Sequence, residues 1–274
     1  MLKSLALSLS LSLCTASAFA APTASAPTTS TTTTPTPSTG KVTVQKPEAP
    51  PTDGRLERDV VPTHQAIWLR LVPGNEAYGG SVDIDVDVQN PKKTIWLHAR
   101  GLEVTRAVAR FGGKAIDGSF AIVDDVDGLA ALRLPAAVSG KGTLHLEFTS
   151  TLHDDLNALY RVKAGPSPDQ QDWYVFSQFE ALAAREAFPC FDEPGFKIPF
   201  DVSVTHLGSD TAIANTAVVK EDTIGKEKKT TFATTKKLPT YCWPSSSAPS
   251  TSLSAPSSPP PSTAKSRCPF APSP

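Results

Sequence analysis

The stretch VDIDVDV, from Val82 to Val88, alternates strictly between apolar and acidic residues. Because successive side chains of a strand point to opposite faces of a sheet, this pattern predicts a strand with one apolar and one carboxylate face. The aspartate row Asp83, Asp85 and Asp87 also raises the hypothesis of a calcium site. Alternation directs all three side chains to solvent. A hard cation requires a loop that wraps around it, and no such loop follows here, so a solvated strand face is the favoured interpretation.

Similar short segments lie on both sides of this stretch, separated by turn signals such as Asn90-Pro91, Asp117-Gly118 and Gly140-Lys141-Gly142. Besides Val82 to Val88, the predicted strands are Ala66 to Val72, Thr94 to His98, Glu103 to Val108, Ser119 to Val123, Thr143 to Leu152, Phe200 to Thr205, Ala212 to Ala217 and Thr230 to Thr234. One short helix is predicted at Glu180 to Glu186. Strands of this length and spacing predict an all-β domain over residues 63–241, an antiparallel sandwich or saddle.

The first 20 residues have the features of an export signal. Lys3 supplies the positive charge, Leu5 to Leu13 is apolar, and Ala18-Phe19-Ala20 offers the small residues that a signal peptidase reads. The apolar part is much shorter than the roughly 20 residues that span a bilayer, so no membrane span is predicted. We therefore expect cleavage before Ala21 and export to the periplasm or the extracellular space.

The two flanks of the predicted domain differ from it in composition. Residues 21–62 are rich in Ser, Thr, Pro and Ala, and residues 242–274 are rich in Ser and Pro. Such sequences cannot bury enough apolar surface to offset the entropy of ordering the backbone, so both are predicted to be disordered. The net charge of -1 gives no electrostatic reason to expect a nucleic-acid partner. Cys190, inside the domain, is expected to be a small buried apolar residue.

No recognisable catalytic set emerges from the motifs of the chain. No two of the five histidines are spaced i, i+4, so the HExxH zinc helix is absent from the sequence. His145 and Glu147 share a strand face, but two ligands make neither a closed nor a catalytic zinc site. A phosphate-binding glycine loop and a GxSxG elbow are also absent. The sequence therefore predicts no metal ligand and no catalytic residue.

The run SQFEALAAREAFPCFDEP, from Ser177 to Pro194, is the densest stretch of polar, aromatic and turn residues. It closely resembles a signature of the zinc aminopeptidases of the aminopeptidase N and puromycin-sensitive aminopeptidase family. The pieces THQ at 63–65, LHA at 97–99, LNALYR at 156–161 and LPTY at 238–241 stand in the matching order. Over about residues 61–241 the chain is similar to the non-catalytic opening domain of that family.

The resemblance implies that Glu180 pairs with the α-ammonium group of a peptide substrate and that Gln178 lines the same pocket. A partly buried carboxylate makes a charge-assisted hydrogen bond to an ammonium, which an internal peptide bond does not offer. From the residues alone, the favoured interpretation of Glu180 is an acid at a helix start, stabilised by the helix dipole, or a partner in a surface ion pair. Arg185, Asp192 and Glu193 are predicted to be structural, since they build the turn that ends the run.

The motifs that hold zinc and catalyse hydrolysis in that family, GxMEN and HExxH, have no counterpart in this sequence. We therefore expect zinc only in a catalytic domain that this chain lacks, and we expect the chain to be inactive alone and to pack normally against that domain. The alternative is a stand-alone secreted β-sandwich used as a binding module. That reading predicts a fragment over residues 61–241 that folds cooperatively by itself.

After LPTY the family continues into an apolar strand similar to YLLAFVVGxFDVV, whereas this chain turns to Ser and Pro. With GC-rich codons, one base restored after the codon of Tyr241 converts the tail into YLLAVVVGALDV. The sequence therefore suggests a frameshift near Cys242 that truncates the protein, a hypothesis that genomic sequencing tests.

Overall fold

The computed structural model of the chain describes residues 49–51, 54–243 and 245–249. The proposed export signal, most of the predicted linker and the end of the tail lie outside the described residues. The strands are β1 (Val60–Arg70), β2 (Ala77–His98), β3 (Glu103–Phe111), β4 (Lys114–Asp117), β5 (Ser119–Asp124), β6 (Leu129–Thr151), β7 (Ala158–Ser167), β8 (Gln170–Gln178), β9 (Phe200–Leu207), β10 (Asp210–Ala214), β11 (Val218–Ile224), β12 (Glu227–Phe232) and β13 (Ser245–Pro249). Helical structure in this part of the chain is confined to two 3₁₀ turns, Ala184–Glu186 and Thr240–Cys242.

The strands form two sheets. The larger has nine strands in the order β11-β12-β9-β1-β2-β6-β3-β4, with β5 also paired to β6, and the smaller has the order β10-β13-β8-β7. The prediction of an all-β domain is confirmed. The predicted antiparallel arrangement needs one correction. Strands β1 and β9 pair in parallel, from Gln65 opposite Phe200 to Arg70 opposite Thr205. A parallel pair requires a long crossover, which local sequence patterns do not reveal.

The alternating stretch from Val82 to Val88 lies in the middle of β2, with its apolar side chains buried and its aspartates half-exposed. The strand pairs with β1 on one side and β6 on the other. The aspartates bond across to β6: Asp83 Oδ1 lies 2.9 Å from His145 Nδ1, and Asp85 accepts a 2.7 Å hydrogen bond from Thr143. The carboxylate face therefore links neighbouring strands.

The apolar faces of both sheets share one hydrophobic core. It includes Ile67 and Leu69 of β1, Leu144 of β6 and Val175 of β8, all essentially inaccessible to solvent. Cys190 is also fully buried as a free thiol, which confirms its expected role, and burial raises the pKa of that thiol. Each buried aliphatic or aromatic side chain contributes about 1.5–3 kcal/mol, so this core is the main source of stability.

The prediction of a helix from Glu180 to Glu186 was wrong. Only Ala184–Glu186 is helical, and it forms a single 3₁₀ turn. Residues 183–192 are all buried, and an isolated helical segment would not bury every one of its faces in this way. Tertiary contacts of the buried polar side chains override the local helix propensity of the Ala-rich sequence.

Ordered structure also extends beyond both ends of the predicted domain, residues 63 and 241. Residues 54–62, assigned to the linker, are packed against the domain: Leu56 is buried and β1 begins at Val60. On the other side, residues 245–249, assigned to a disordered tail, form β13 between β8 and β10. Strand pairing is made by backbone groups, so a Ser-rich segment without alternation forms it too. Among the described residues, no helix has the length and apolar character needed to cross a bilayer.

Candidate functional site

The run from Ser177 to Pro194 begins at the end of β8 and then passes through the core. Phe179 and residues 183–192 are buried, whereas Gln178 and Glu180 are exposed. The peptide bond between Glu180 and Ala181 is cis. The structure thus places the two residues predicted to bind substrate together, on the accessible end of an otherwise buried segment.

Arg185 and Asp192 form a buried ion pair within the run, with Arg185 Nε 3.0 Å from Asp192 Oδ2. Arg185 also donates to the backbone carbonyls of Asp192, at 2.9 Å, and of Asp127. Asp192 Oδ1 accepts a hydrogen bond from the Thr240 hydroxyl. Both buried charges are therefore compensated, and the pair closes the segment between them into a loop of fixed shape.

Glu186 ties the same segment to the strands around it. Its carboxylate is nearly buried, pairs with Arg100 and accepts a 2.9 Å hydrogen bond from the Asn157 amide. Tyr78 of β2 donates a 2.9 Å hydrogen bond to the carbonyl of Ala187. Since Asn157 directly precedes β7, which pairs with β8, Glu186 holds both the run and the sheet from which it emerges.

His98 anchors the other end of the run. Its Nδ1 accepts a 3.2 Å hydrogen bond from the backbone N–H of Asp192, so Nε2 carries the proton and donates to Gly54 O at 3.2 Å. Burial, with a contribution from the positive charge of Arg185, lowers the pKa of His98 to about 4. The imidazole is therefore neutral at physiological pH.

Glu193 fixes the segment that precedes β1. Its carboxylate accepts hydrogen bonds from the backbone N–H of Leu56 and, at 2.6 Å, from Arg58. The Arg58 guanidinium lies 4.4 Å from the centre of the Phe196 ring. These contacts agree with the structural roles predicted for Arg185, Asp192 and Glu193.

An aromatic cluster lies behind the exposed end of the run. Phe179 stacks on Trp243, with ring centres 5.4 Å apart and planes at 16°, and Phe188 contacts both rings edge to face. Trp243 is only 1% exposed, although it lies in the segment predicted to be disordered. The cluster fixes the backbone of Phe179, between Gln178 and Glu180.

Glu180 differs from the other acids of the run. Its carboxylate is exposed rather than partly buried, and among the described residues it has neither a hydrogen bond nor an ion pair. The Gln178 side chain is likewise exposed and without a side-chain partner in that part of the chain. Leu182 beside it is 50% exposed. The arrangement offers one free carboxylate, one amide and adjacent apolar surface to a ligand.

A row of aromatic side chains beside this site was not predicted from the sequence. Tyr174 and Phe176 of β8 and Tyr160 of β7 are half-buried neighbours of Gln178. The signal that indicates the row is the run of aromatic and β-branched residues WYVF, from Trp173 to Phe176, a composition typical of a strand.

The described residues do not fit a catalytic metal. They contain no group of three or more His, Cys, Asp or Glu side chains arranged to hold a metal ion. His145, Glu147 and Asp83 come close together, but they pair with one another and with Arg106 and Arg110. Hydrogen bonding to His145, supported by Arg106, lowers the pKa of Glu147. No chemical step is therefore assigned to a metal at these residues.

Comparison with known proteins identifies the family of this domain. Residues 61–242 match the profile described as the Peptidase M1 N-terminal domain. The chain belongs to the M1 peptidase family. Similar curated M1 proteins include puromycin-sensitive aminopeptidase of Caenorhabditis elegans, 29% identical over 74% of this chain, and aminopeptidase M1-A of Oryza sativa, 34% identical over 63%. Aminopeptidase N of Acetobacter pasteurianus is 32% identical over 69% of this chain.

These M1 relatives are longer than the matched region. The alignments cover 22% of the C. elegans protein, 20% of the O. sativa protein and 52% of the A. pasteurianus protein. The described fold therefore corresponds to the N-terminal domain of M1 peptidases.

Proposed function

We propose that this M1 domain recognises the free amino terminus of a peptide, with Glu180 as acceptor for the ammonium group and Gln178 as a second polar contact. One observation carries the proposal. Glu186, Asp192 and Glu193 all have hydrogen-bond partners, whereas Glu180 has none among the described residues.

The surroundings of Glu180 suit this role. A carboxylate on a rigid support loses little conformational freedom on binding, and its hydrogen bond to an ammonium is charge-assisted. The aromatic cluster and the Arg185–Asp192 pair supply such a support on either side. An acetylated terminus or an internal peptide bond carries no cation, so this contact selects free termini.

Cleavage of the peptide bond is proposed to need a zinc site outside the described residues, in a catalytic domain against which this domain packs. Two exposed apolar side chains near the run, Leu156 at 72% and Leu182 at 50%, support such packing because a further domain would cover them. The proposed reaction is removal of N-terminal residues from peptides.

Export is proposed from the signal-like sequence of residues 1–20. The first residue of the mature protein, read by mass spectrometry after expression in a host with a signal peptidase, tests this. Ala21 is expected, and a chain that retains Met1 or Leu2 contradicts export.

Amine recognition is tested by titrating tri-alanine and N-acetyl-tri-alanine into the full chain and following amide shifts by NMR. Since a hydrogen bond to a charged group is worth about 1.5–3 kcal/mol, acetylation is expected to weaken binding about tenfold or more. The E180Q variant keeps the shape but not the charge, and should lose this discrimination. The matched control D117N removes an exposed acid from β4, in the other sheet, and should keep it. If E180Q discriminates as the unmodified chain does, Glu180 is not the amine anchor.

A further inference from the structure

The strand that leads into the proposed amine site carries a continuous aromatic surface. Tyr174 and Phe176 of β8 have nearly parallel rings, with centres 6.2 Å apart and planes at 6°. Tyr160 lies opposite Phe176 on β7, with ring centres 5.9 Å apart. All three are half-buried, so each presents part of its ring to solvent.

This row points away from the core and runs directly to Gln178. Val175 lies between the two aromatic residues of β8 and is fully buried, so its neighbours Tyr174 and Phe176 face the other way. Gln178 follows Phe176 by two residues and therefore shares its face. Tyr174, Phe176 and Gln178 thus form one line that ends at the proposed amine site.

The spacing of this line matches that of a bound peptide. Side chains two residues apart on a strand are separated by about 7 Å, and the alternate side chains of an extended peptide have the same separation. A peptide whose ammonium group is held by Glu180 and which lies along β8 would place one of its first side chains over the aromatic row.

We propose that Tyr160, Tyr174 and Phe176 form a subsite for an aromatic or bulky apolar side chain near the amino terminus of the bound peptide. This inference rests on the proposed function and specifies its substrate class: peptides with a free amino terminus and such a residue among the first three positions. Aromatic rings favour these side chains through apolar burial and offset or edge contacts.

The charges around the hairpin agree with this preference. Arg161 and Lys163 of β7 lie over the ring of Trp173, at 4.6 and 4.9 Å from its centre. Their register partners are Val175 and Trp173, so both cations lie on the face opposite the row. On the row itself, Val162 opposite Tyr174 adds an apolar neighbour. The exposed Asp172, two residues before Tyr174, shares this face and is the one charged side chain of β8 on it, so the surface around Tyr160 and Phe176 is apolar.

The test uses the full chain and four peptides: tri-alanine and the three tripeptides in which Phe replaces one Ala, each with a free and an acetylated terminus. At least one Phe peptide with a free terminus is expected to bind about five- to tenfold more tightly than tri-alanine. The F176S variant should lose this gain and still discriminate free from acetylated termini. W173S removes an aromatic ring from the opposite face of the same strand and should keep both properties. F176L preserves apolar volume but removes the ring. If F176S does not fold, a smaller Phe-dependent increase in affinity in F176L supports the subsite.

The outcomes separate the two proposals. If the unmodified chain discriminates acetylation but binds all four free peptides equally, the subsite is wrong and the row is a packing surface. If the unmodified chain does not discriminate acetylation, the amine anchor fails and the subsite fails with it. Equal loss of the Phe gain in F176S and W173S would show a general structural effect and would also overturn the subsite.

Discussion

The acids of the run from Ser177 to Pro194 differ in their burial and in their partners. Asp192 is 1% exposed, paired with Arg185 and bonded to Thr240, whereas Glu180 is accessible. A buried carboxylate needs such compensation, because removing one partner leaves an uncompensated charge in the interior. The accessible carboxylate needs none and remains available to a ligand.

The D192N variant is expected to lose about 3–5 kcal/mol of unfolding free energy, since it leaves the Arg185 guanidinium buried and unpaired. Urea unfolding followed by circular dichroism measures the loss. E227Q, which weakens the more exposed Arg70–Glu227 pair, is the matched control and should cost far less, because solvent screens an exposed pair. Similar losses in the two variants would contradict the structural role of Asp192.

His98 makes stability depend on pH in a defined window. Its pKa is about 4 in the folded chain, below the ordinary value of 6.5. Above pH 6.5 the imidazole of His98 is neutral in both the folded and the unfolded chain, so its burial costs no stability there. Between pH 6.5 and 4 only the unfolded state takes up the proton, so stability falls as pH falls, by up to about 3 kcal/mol.

The measurement compares urea unfolding of the unmodified chain and of H98Q between pH 7.5 and 4.5. Carboxylates titrate in both proteins, so the difference between the two curves isolates His98. The unmodified chain should lose more stability on acidification than H98Q does. Parallel curves would show that His98 is not held neutral by the fold.

At the scale of elements, β13 has the most consequence for the candidate site. It lies between β8 and β10 in the smaller sheet, with Ser247 opposite Val175 on one side and Ala212 on the other. It follows Trp243, which packs on Phe179. The segment after Tyr241 therefore supports the strand that ends at Gln178.

S247P is expected to disrupt this sheet, because proline removes a backbone donor from a central strand. Amide hydrogen exchange should become faster at Val175 and Phe176 of β8, while amides of β2 and β6 in the other sheet keep their protection. S167P, at the end of β7 on the sheet edge, is the matched control and should leave Val175 protected. Unchanged exchange at Val175 in S247P would show that β13 does not support β8.

The sequence predicted strands well where one face is apolar and the other polar. Strict alternation located the middle of β2, but the turns predicted at Asn90-Pro91 and Gly140-Lys141-Gly142 were wrong, because β2 and β6 continue through them. The β7–β8 hairpin was missed because its outer face carries aromatic rather than polar side chains, which blurs the alternation. The short helix was wrong because Arg185, Glu186 and Asp192 each also bond to a distant segment, and local propensity does not include such contacts.

For the candidate site, the resemblance pointed to Gln178 and Glu180, and both are exposed in the structure, on either side of the buried Phe179. Sequence patterns did not reveal that Trp243 supports Phe179 or that Tyr160 joins the aromatic row. Phe179 and Trp243 are far apart in the chain and lie outside the strands, and Tyr160 meets Phe176 through the pairing of β7 with β8.

For the whole molecule, the proposal that cleavage needs a zinc site outside the described residues leads to a functional prediction. The purified chain is expected to bind no stoichiometric zinc and to leave aminoacyl reporter substrates uncleaved. Inductively coupled plasma mass spectrometry after dialysis measures the metal, and release of p-nitroaniline from alanine p-nitroanilide measures the activity. Hydrolysis that depends on one equivalent of zinc would contradict the assignment of cleavage to residues outside the described domain.

The parallel pairing of β1 with β9 has a consequence for biosynthesis. One edge of β1 finds its partner only when the segment from Phe200 to Thr205 has emerged from the ribosome. Until then that edge keeps unsatisfied backbone groups, which invite pairing with other chains. The nascent protein must therefore pass through a stage with a bare sheet edge, and a chaperone that shields extended strands should raise its folding yield more than its final stability.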